Sequence, residues 1–328
     1  MLPPDYELPE ESIAQQPVEP RDAARLLVAL HGRLSHAHVR DLPGLLGPGD
    51  VLVVNTSRVV PARLRLHKAS GGAAEVLLLE PLPGREGHWE ALVRPGRRLP
   101  PGTVLWAGGE AVVEVGWRTA QGNRVVRALT DDLDRFGALA LPPYIHAPLE
   151  DPERYQTVYA DRPGSVAAPT AGLHMTGEVL EGCRRAGAAV VEVDLAVGLG
   201  TFRPIKQGAV EAHDMHSERY QVPEATWAAC AQARRVVAVG TTTVRALEAA
   251  GANGQLEGRT DLFIRPGFDF RVVDVLLTNF HQPRSTLLVL LEAFAGPGWR
   301  RLYSTALEEG YRFLSFGDAM LVDRAGAA

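Results

Sequence analysis

The sequence predicts an α/β protein whose main domain is an α/β layered or partly open barrel-like structure, with an inserted antiparallel β-barrel domain. Short alternating apolar and polar runs, separated by Gly and Pro turns, fill residues 60–141 and predict the barrel. After about residue 165, strand-like and helix-like segments alternate, which is typical of a largely parallel sheet. We therefore expect residues 1–60 and 150–328 to form one discontinuous domain and residues 61–149 to form the insertion.

The first predicted element is the apolar run VLVV at residues 51–54, a buried strand ahead of Asn55. In the insertion, EAVVEVGW places Val113, Val115 and Trp117 on one face of a strand. The runs of the same kind are ARLRLH, HWEALV and NRVVRAL. Their period of two residues predicts antiparallel strands of a small barrel.

Helices and strands alternate in the last part of the chain. In chain order we predict a helix over 176–185 with Gly187 past its end, a strand at AAVVEVDLAV, a helix over 223–235 that begins with proline, a strand at RVVAVG, a helix at TTTVRALEAAG closed by Gly251, and a helix at STLLVLLEAFAG. In the last helix, an apolar stripe at helical spacing is formed by Leu287, Leu290, Leu291 and Phe294.

The composition limits the class of protein. The chain has 328 residues, of which 46% are hydrophobic, enough for a core in about two domains. It has no apolar run of membrane length, and its start, MLPPDYELPEES, lacks the features of a secretory signal. Cys183 and Cys230 are the only cysteines, which indicates a reducing compartment and two small buried apolar residues rather than a disulfide.

The net charge of −5 argues against binding nucleic acid through general phosphate attraction alone, so any RNA-binding charge must be local. Nearly all of the positive charge is arginine, since Lys68 and Lys206 are the only lysines. Arginine pairs with phosphates and stacks on bases. Genomic base composition is nevertheless the first explanation of the excess of Arg, Ala, Gly and Pro.

The clearest candidate site is VVAVGTTTVRALE, where a predicted strand ends at Gly240 and a helix begins within Thr241, Thr242 and Thr243. The free amides of a helix start, together with three hydroxyls, suit an anion or ribose hydroxyls. Ligands of open α/β sheets bind at the carboxyl ends of the strands. Ordinary helix capping is the alternative, and it needs only one threonine.

The segment VGLGTFRPI is a weaker candidate. It contains Gly198 and Gly200 beside Arg203 but lacks the third glycine of a dinucleotide-binding loop. It predicts either a close approach of the backbone to a ligand or a plain turn.

The segment HDMHSERYQV carries His213 and His216 three residues apart, followed by Glu218. Two imidazoles at this spacing can share a metal, but no further pair of ligands is evident, so we predict no metal site. General acid/base chemistry by a histidine or by Glu218, or an ordinary surface loop, remain the other interpretations.

Three other stretches contain candidate site residues. In TNFHQPRST, Asn279 and His281 precede an apolar helix that Ser285 is expected to cap. In GYRFLSFGDAML, Arg312 and Asp318 lie among aromatic residues. They could belong to a binding site, or they could form one structural ion pair in a core segment. In SVAAPTAGLHMT, at positions 165–176, a run of small residues leads to His174. A packed core would need larger side chains there.

Nine stretches run in order along nearly the whole chain: DYELPEESIAQQPVEPRDAARLLV, PGDVLVVNTSRVVPARL, SVAAPTAGLHMT, VGLGTFRPI, HDMHSERYQV, VVAVGTTTVRALE, TDLFIRPG, LLTNFHQPRSTLLVLLEAFAG and YRFLSFGDAML. Together they resemble the S-adenosylmethionine:tRNA ribosyltransferase-isomerases of queuosine biosynthesis. Met175 stands in place of an aromatic residue and Gln282 in place of an aliphatic one. The barrel region, about 65–145, matches least well.

The resemblance implies transfer of the ribosyl part of S-adenosylmethionine to 7-aminomethyl-7-deazaguanine at the tRNA wobble position. Rearrangement would give epoxyqueuosine, with release of adenine and methionine. The resemblance also implies a cytoplasmic monomer that binds the anticodon arm and needs no metal or further cofactor, since S-adenosylmethionine is a substrate.

This chemistry needs proton transfers, because a sulfonium acidifies neighbouring C–H groups, departing adenine takes a proton and the attacking amine loses protons. We assign proton transfer to His174, His216 and Glu218. We assign ribose or base edges to Asn279 and His281. Ribose hydroxyls or the methionine carboxylate are assigned to Thr241, Thr242, Thr243 and Arg203. Arg245 and Arg312 would bind tRNA phosphate or that carboxylate, and Asp318 is also assigned to substrate binding. The small residues before His174 would let a nucleotide lie flat against the backbone.

Two rival functions fit the same pattern. One is a nucleotide or sugar transferase with a small-molecule acceptor, which would turn over without RNA. The other is a non-catalytic RNA-binding protein, which would not consume S-adenosylmethionine.

Overall fold

The computed structural model describes residues 2–198, 205, 210, 215 and 217–324. Contacts divide the chain into an α/β unit, Met1–Arg58, Pro142–Arg162 and Ala168–Ala328, and a barrel unit, Val59–Leu141 and Pro163–Ala167. The predicted assignment of 1–60 with 150–328, and of 61–149, to separate domains stays a prediction.

The strands are β1 (Arg25–Leu30), β2 (Arg33–His38), β3 (Asp50–Asn55), β4 (Ser57–Val59), β5 (Arg63–Lys68), β6 (Ala73–Pro81), β7 (His88–Arg94), β8 (Val104–Ala107), β9 (Glu110–Arg118), β10 (Arg124–Ala128), β11 (Gly137–Ala138), β12 (Arg162–Ser165), β13 (Ala189–Leu195), β14 (Glu218–Gln221), β15 (Arg235–Val239), β16 (Glu257–Thr260), β17 (Val275–Asn279) and β18 (Ala319–Asp323). The α-helices of the described residues are α1 (Gly177–Arg185), α2 (Glu224–Gln232), α3 (Thr241–Asn253), α4 (Thr286–Ala295) and α5 (Trp299–Glu308). A short 3-10 helix, Thr170–His174, precedes α1.

The α/β unit is built on a nine-stranded sheet in the order β16-β14-β13-β3-β15-β17-β18-β1-β2. The central strands β13, β3, β15 and β17 are parallel, whereas β17 and β18 are antiparallel. The sheet is therefore mixed rather than largely parallel: β1 also pairs with β18 in parallel, whereas β2, β14 and β16 are joined by antiparallel pairs. Two helices, α4 and α5, connect β17 to β18. A single crossover helix would return the chain parallel to β17, and the second helix reverses its direction, so β18 is antiparallel.

The core of this unit forms where apolar side chains of the central strands meet α1 and the 3-10 helix. Every residue of β3 is buried, as expected of a central parallel strand covered on both faces. Leu52 and Val237 of the sheet share this core with Met175 and Val179. The buried strand predicted from VLVV is confirmed.

The helix starts follow their capping residues. Thr176 accepts a hydrogen bond from the Val179 amide at 3.2 Å, and Ser285 accepts one from the Leu288 amide at 3.2 Å. These contacts satisfy amides that have no partner inside the helix. The predicted starts of α1 and α4 are confirmed.

Two predicted helix ends are wrong. α3 does not close at Gly251 but runs on to Gly254, which takes φ 71° and ends it. Gly251 is small for another reason, because a Cβ there would lie 2.9 Å from Val272 Cγ2. α2 stops at Gln232 rather than Arg235, because Arg235 already begins β15.

The barrel unit contains a closed ring of six antiparallel strands, β5-β6-β7-β10-β9-β8, in which β8 pairs back to β5. The predicted antiparallel β-barrel is confirmed. Trp117, however, does not share the buried face of Val113 and Val115, since it is 44% exposed. A bulge between β9 and β10 shifts the register there and changes the side to which the side chain points.

Both cysteines are free and buried, as the sequence predicts. Burial raises the pKa of each thiol to about 11, so both are protonated at neutral pH. Among the described residues, no helix has the length and apolar character needed to cross a membrane.

Candidate functional site

The candidate site lies at the carboxyl ends of three neighbouring strands. β3 ends at Asn55, β15 is followed by Gly240, and β17 ends at Asn279. These strands are adjacent and parallel, so the three residues lie on one edge of the sheet. This is the edge at which ligands of open α/β sheets bind.

A cleft opens at this edge. Its walls are Ala168, Pro169, Thr170, Ala171, Val197, Gly240, Thr241, Thr242, Thr278, Asn279, His281 and Leu287. One adjoining cavity shares Thr170, Asn279 and His281 and adds Tyr144, and another shares Thr241 and Thr242 and adds Arg245. Residues of three separate sequence stretches therefore line this cleft.

The three threonines at the start of α3 have different contacts. The Thr243 hydroxyl donates to the Val239 carbonyl at 2.7 Å, a bond within the helix start that gives it a structural role. The Thr242 hydroxyl accepts from Asn55 Nδ2 at 3.3 Å. Thr241 and Thr242 line the cleft, together with the free amide end of a 13-residue helix.

Asn55 holds Thr242 in place. Its side chain is fully buried, donates to the Leu195 carbonyl at 3.0 Å and accepts from the Leu195 amide at 3.0 Å. Because Asn55 donates to the Thr242 oxygen, the Thr242 hydrogen is left to donate to another acceptor.

Asn279 and His174 form a buried pair. Asn279 Nδ2 lies 2.9 Å from His174 Nε2, 3.2 Å from the Leu314 carbonyl and 3.4 Å from the Asp318 carbonyl. The two carbonyls can only accept, so they fix Nδ2 as the donor, and His174 Nε2 must accept. His174 is 4% exposed and reaches the cleft wall through Asn279.

The surroundings of His174 keep it neutral. Burial, together with the nearby charges of Arg312, Arg154 and Arg21, lowers the pKa of His174 from 6.5 to about 3. A neutral imidazole is what the bond from Asn279 requires. As a general base, however, a group with this pKa holds a proton weakly at neutral pH.

His281 is the second buried histidine of the cleft. Its Nε2 lies 3.0 Å from the Thr278 hydroxyl, and its amide donates to the Tyr303 hydroxyl at 2.8 Å. Burial lowers its pKa to about 3. The Tyr6 hydroxyl donates to the His281 carbonyl at 2.6 Å, so the loop after β17 is held from both sides.

The small residues before His174 have two structural explanations. Ala168, Pro169 and Ala171 line the cleft, where larger side chains would fill it. Gly172 is small because Tyr159 packs against it, and a Cβ there would collide with the Tyr159 hydroxyl.

Glu218 and Arg245 form a buried ion pair. Glu218 also accepts the Gly198 amide at 2.8 Å, so both of its oxygens have partners. Arg245 donates to the Leu262 carbonyl at 3.1 Å and lines the cavity next to the threonines. The pair fixes the chain around Gly198 beside the cleft.

Asp318 fixes a turn. Its carboxylate accepts from the Arg312 amide at 2.8 Å and the Arg25 amide at 2.9 Å, and it is 2% exposed. The Arg312 guanidinium lies 3.7 Å from Asp318 Oδ1. These contacts shape the turn whose Leu314 carbonyl accepts from Asn279.

Arg203 and His216 lie outside the described residues, so their predicted roles stay predictions. Within the described part of the chain, no group of three His, Cys, Asp or Glu side chains is placed to hold a metal ion.

Sequence reasoning missed Asn55, Thr170 and Tyr144 as residues of this site. Asn55 carried a usable signal, since a polar residue directly after a buried strand lies at the ligand-binding edge. Tyr144 gave no such signal, because its position beside the cleft depends on contacts distant in sequence, such as the bond to Ser315 at 2.7 Å.

The two buried neutral histidines make stability depend on pH. The pKa of each falls from 6.5 to about 3 on folding, so the unfolded chain binds more protons between these pH values. The stabilisation is complete above pH 6.5 and is lost as the pH falls. We expect each histidine to contribute a slope of about 1.4 kcal/mol per pH unit in this window.

The measurement is the free energy of unfolding in urea between about pH 5 and 7. His281→Gln should remove one histidine's share of the slope, whereas His146→Gln, at an exposed position, should leave it unchanged. Equal slopes in wild type and His281→Gln would contradict the prediction.

Comparison with known proteins gives the family of the chain. The sequence profile of the queuosine biosynthesis protein family matches residues 4–322. The chain belongs to this family. The family predicted from the nine sequence stretches is thus confirmed.

Individual relatives of this queuosine biosynthesis family member match over nearly their full length. A protein named S-adenosylmethionine:tRNA ribosyltransferase-isomerase from Rubrobacter xylanophilus is 53% identical over 97% of this chain and 96% of its own. One of the same name from Thermus thermophilus is 52% identical over 97% and 98%. The crystal structure of S-adenosylmethionine tRNA ribosyltransferase from Thermotoga maritima covers 97% of this chain and 99% of its own, at 39% identity and a TM-score of 0.56.

Proposed function

We propose that this chain is an S-adenosylmethionine:tRNA ribosyltransferase-isomerase of queuosine biosynthesis. It transfers the ribosyl part of S-adenosylmethionine to 7-aminomethyl-7-deazaguanine at the tRNA wobble position and isomerises it. The products are epoxyqueuosine in tRNA, adenine and methionine. Membership of the family over residues 4–322 supports this proposal.

The observation that carries the proposal is the convergence of three stretches on one cleft. The small-residue run before His174, the threonines of α3 and the polar loop after β17 all line it. A cleft with small residues on one wall, hydroxyls on another and an amide and imidazole on a third suits a nucleoside with a charged tail.

The start of α3 is suited to the ribose or the methionine carboxylate. Its free amides and positive dipole end attract an anion, and Thr242 has a hydrogen to donate because Asn55 already donates to its oxygen. Arg245, which lines the adjoining cavity, can reach a small carboxylate there. Because its guanidinium is buried and paired with Glu218, tRNA phosphate is the less suitable of its two predicted partners.

Asn279 and His281 are suited to hold the substrate by hydrogen bonds, because both line the cleft. His174 acts as a positioning residue that fixes the Asn279 amide. Its low pKa favours this role over the predicted proton transfer. Glu218 has both oxygens engaged, which favours a positioning role for it too. His216 stays the predicted proton-transfer residue.

The reaction needs no metal and no further cofactor, because the sulfonium itself makes the ribosyl group reactive. The partners are S-adenosylmethionine and the anticodon arm of tRNA that carries the deazaguanine. The enzyme works as a cytoplasmic monomer.

The decisive experiment measures adenine. The chain is incubated with S-adenosylmethionine and tRNA bearing 7-aminomethyl-7-deazaguanine, and each component is omitted in turn. We expect adenine release and epoxyqueuosine only when all components are present. Release without RNA would support a transferase with a small-molecule acceptor, and tRNA binding without any release would support a non-catalytic RNA-binding protein.

A further inference from the structure

Three exposed arginines lie on the connection that follows β7 in the barrel unit. Arg94 ends the strand, and Arg97 and Arg98 lie on the turn after it. Within the described part of the chain, none of the three forms an ion pair, although Glu75 is the cross-strand neighbour of Arg94, whereas Arg127 of the same barrel pairs with Glu114 at 2.6 Å. Exposed guanidinium groups without such partners are available to an external anion.

Hydrogen bonds and a buried side chain tie the turn that carries these arginines to the rest of the barrel. The Arg98 amide donates to the Pro95 carbonyl at 3.0 Å, and the Leu99 side chain is fully buried. Arg124 Nη2 donates to the Gly96 carbonyl at 3.2 Å and the Leu99 carbonyl at 3.0 Å. A surface that is already ordered loses less entropy when a partner binds.

Arg124 is the side chain that links this turn to a neighbouring strand. It is buried, and a buried guanidinium is unfavourable unless its donors have acceptors; Nη1 and Nη2 have carbonyl acceptors, whereas Nε has none. Its Nη1 donates to the Gly116 carbonyl at 3.2 Å, so one side chain ties the turn to β9. The exposed arginines and the buried one therefore have different roles on the same turn.

The charge of the barrel differs from that of the whole chain. Residues 59–141 contain eleven Lys and Arg against nine Asp and Glu, whereas the chain has a net charge of −5. The barrel residues therefore carry a small net positive charge although the whole chain is negative.

We infer that the turn bearing Arg94, Arg97 and Arg98 binds the sugar-phosphate backbone of the tRNA substrate. The inference rests on the proposed function and names a surface for its macromolecular partner. Arginine forks match phosphate oxygens, and contacts of this kind position an RNA without reading its sequence.

The test compares two double variants with the same loss of charge. Arg97→Ala with Arg98→Ala removes the unpaired arginines. Arg127→Ala with Arg135→Ala removes two arginines that are paired with Glu114 and Glu110. Affinity for the modified tRNA is measured at several salt concentrations, and KM for tRNA and kcat are measured by adenine release.

For the Arg97 and Arg98 variant, we expect the slope of log affinity against log salt to shrink by about 1.5, since each phosphate contact contributes roughly 0.7 to 0.9. KM for tRNA should rise about tenfold at low salt, with the effect in KM and not in kcat. The Arg127 and Arg135 variant should resemble wild type.

An unchanged slope and KM in the Arg97 and Arg98 variant, with adenine release intact in wild type, would overturn the inference and leave the proposed function standing. Wild type that binds tRNA but releases no adenine would contradict the proposed function, and the salt titration would still test the surface. Equal losses in both variants would show general charge attraction and would also overturn the inference.

Discussion

Replacing Asn279 with alanine is expected to lower the rate of adenine release about 100-fold without unfolding the protein. Asn279 lines the cleft, and three acceptors fix its amide. Alanine removes a preorganised polar group from a water-poor site, where such groups have their largest effect. The measurement is kcat and KM for S-adenosylmethionine with saturating modified tRNA.

The matched control is Asn253→Ala in the same unit. Asn253 ends α3 and is exposed, about 18 Å of helix away from Thr241. It should keep wild-type kinetics. His174→Ala should cause a loss similar to that of Asn279→Ala, and the double variant should lose little more, because the two residues act as one unit. Full turnover in a folded His174→Ala variant would show that Asn279 does not depend on His174 for its role.

Replacing Glu218 with alanine is expected to cost about 3–5 kcal/mol of unfolding free energy. Glu218 and Arg245 are both buried, so the substitution leaves a guanidinium charge in the interior without its partner. The amide of Gly198 loses its acceptor at the same time. The measurement is a urea titration, in which the midpoint should fall while the slope stays unchanged.

Glu181→Ala is the control for this substitution. Glu181 pairs with Arg184 at 3.6 Å and Arg185 at 3.8 Å on α1, and all three side chains are exposed. Its loss should cost about 0.5 kcal/mol or less. A midpoint shift for Glu218→Ala no larger than that for Glu181→Ala would show that burial does not strengthen the pair. Glu218→Leu with Arg245→Met should recover much of the loss, because both charges then leave the interior.

Several elements could be predicted because their signals are local. Alternation along β5 and β9 predicts barrel strands, and Thr176 and Ser285 mark helix starts through their own hydroxyls. The errors at Gly251 and Trp117 arose from contacts with residues distant in sequence. Val272 packs where a Gly251 side chain would lie, and a bulge against β10 turns Trp117 outward.

The roles of the candidate residues were harder to predict than their location. Each polar stretch follows a strand or helix start, which is enough to expect it at the binding edge. Nothing local indicates that Glu218 would meet Arg245, which lies 27 positions away, or that Asn279 would meet His174 across 105 positions. These pairings change the expected chemistry of both histidine and glutamate.

The sequence by itself determined the fold class, the family and the stretches that line the candidate cleft, because periodicity, capping and motif order are properties of neighbouring residues. Only the tertiary structure decided which side chains are buried and paired, and therefore which ones remain free for substrate. The physical reason is that ionisation and hydrogen bonding depend on desolvation and on partners that the fold brings from other parts of the chain. In this protein, desolvation makes His174 a neutral acceptor for Asn279, and the fold brings Glu218 into a buried ion pair with Arg245.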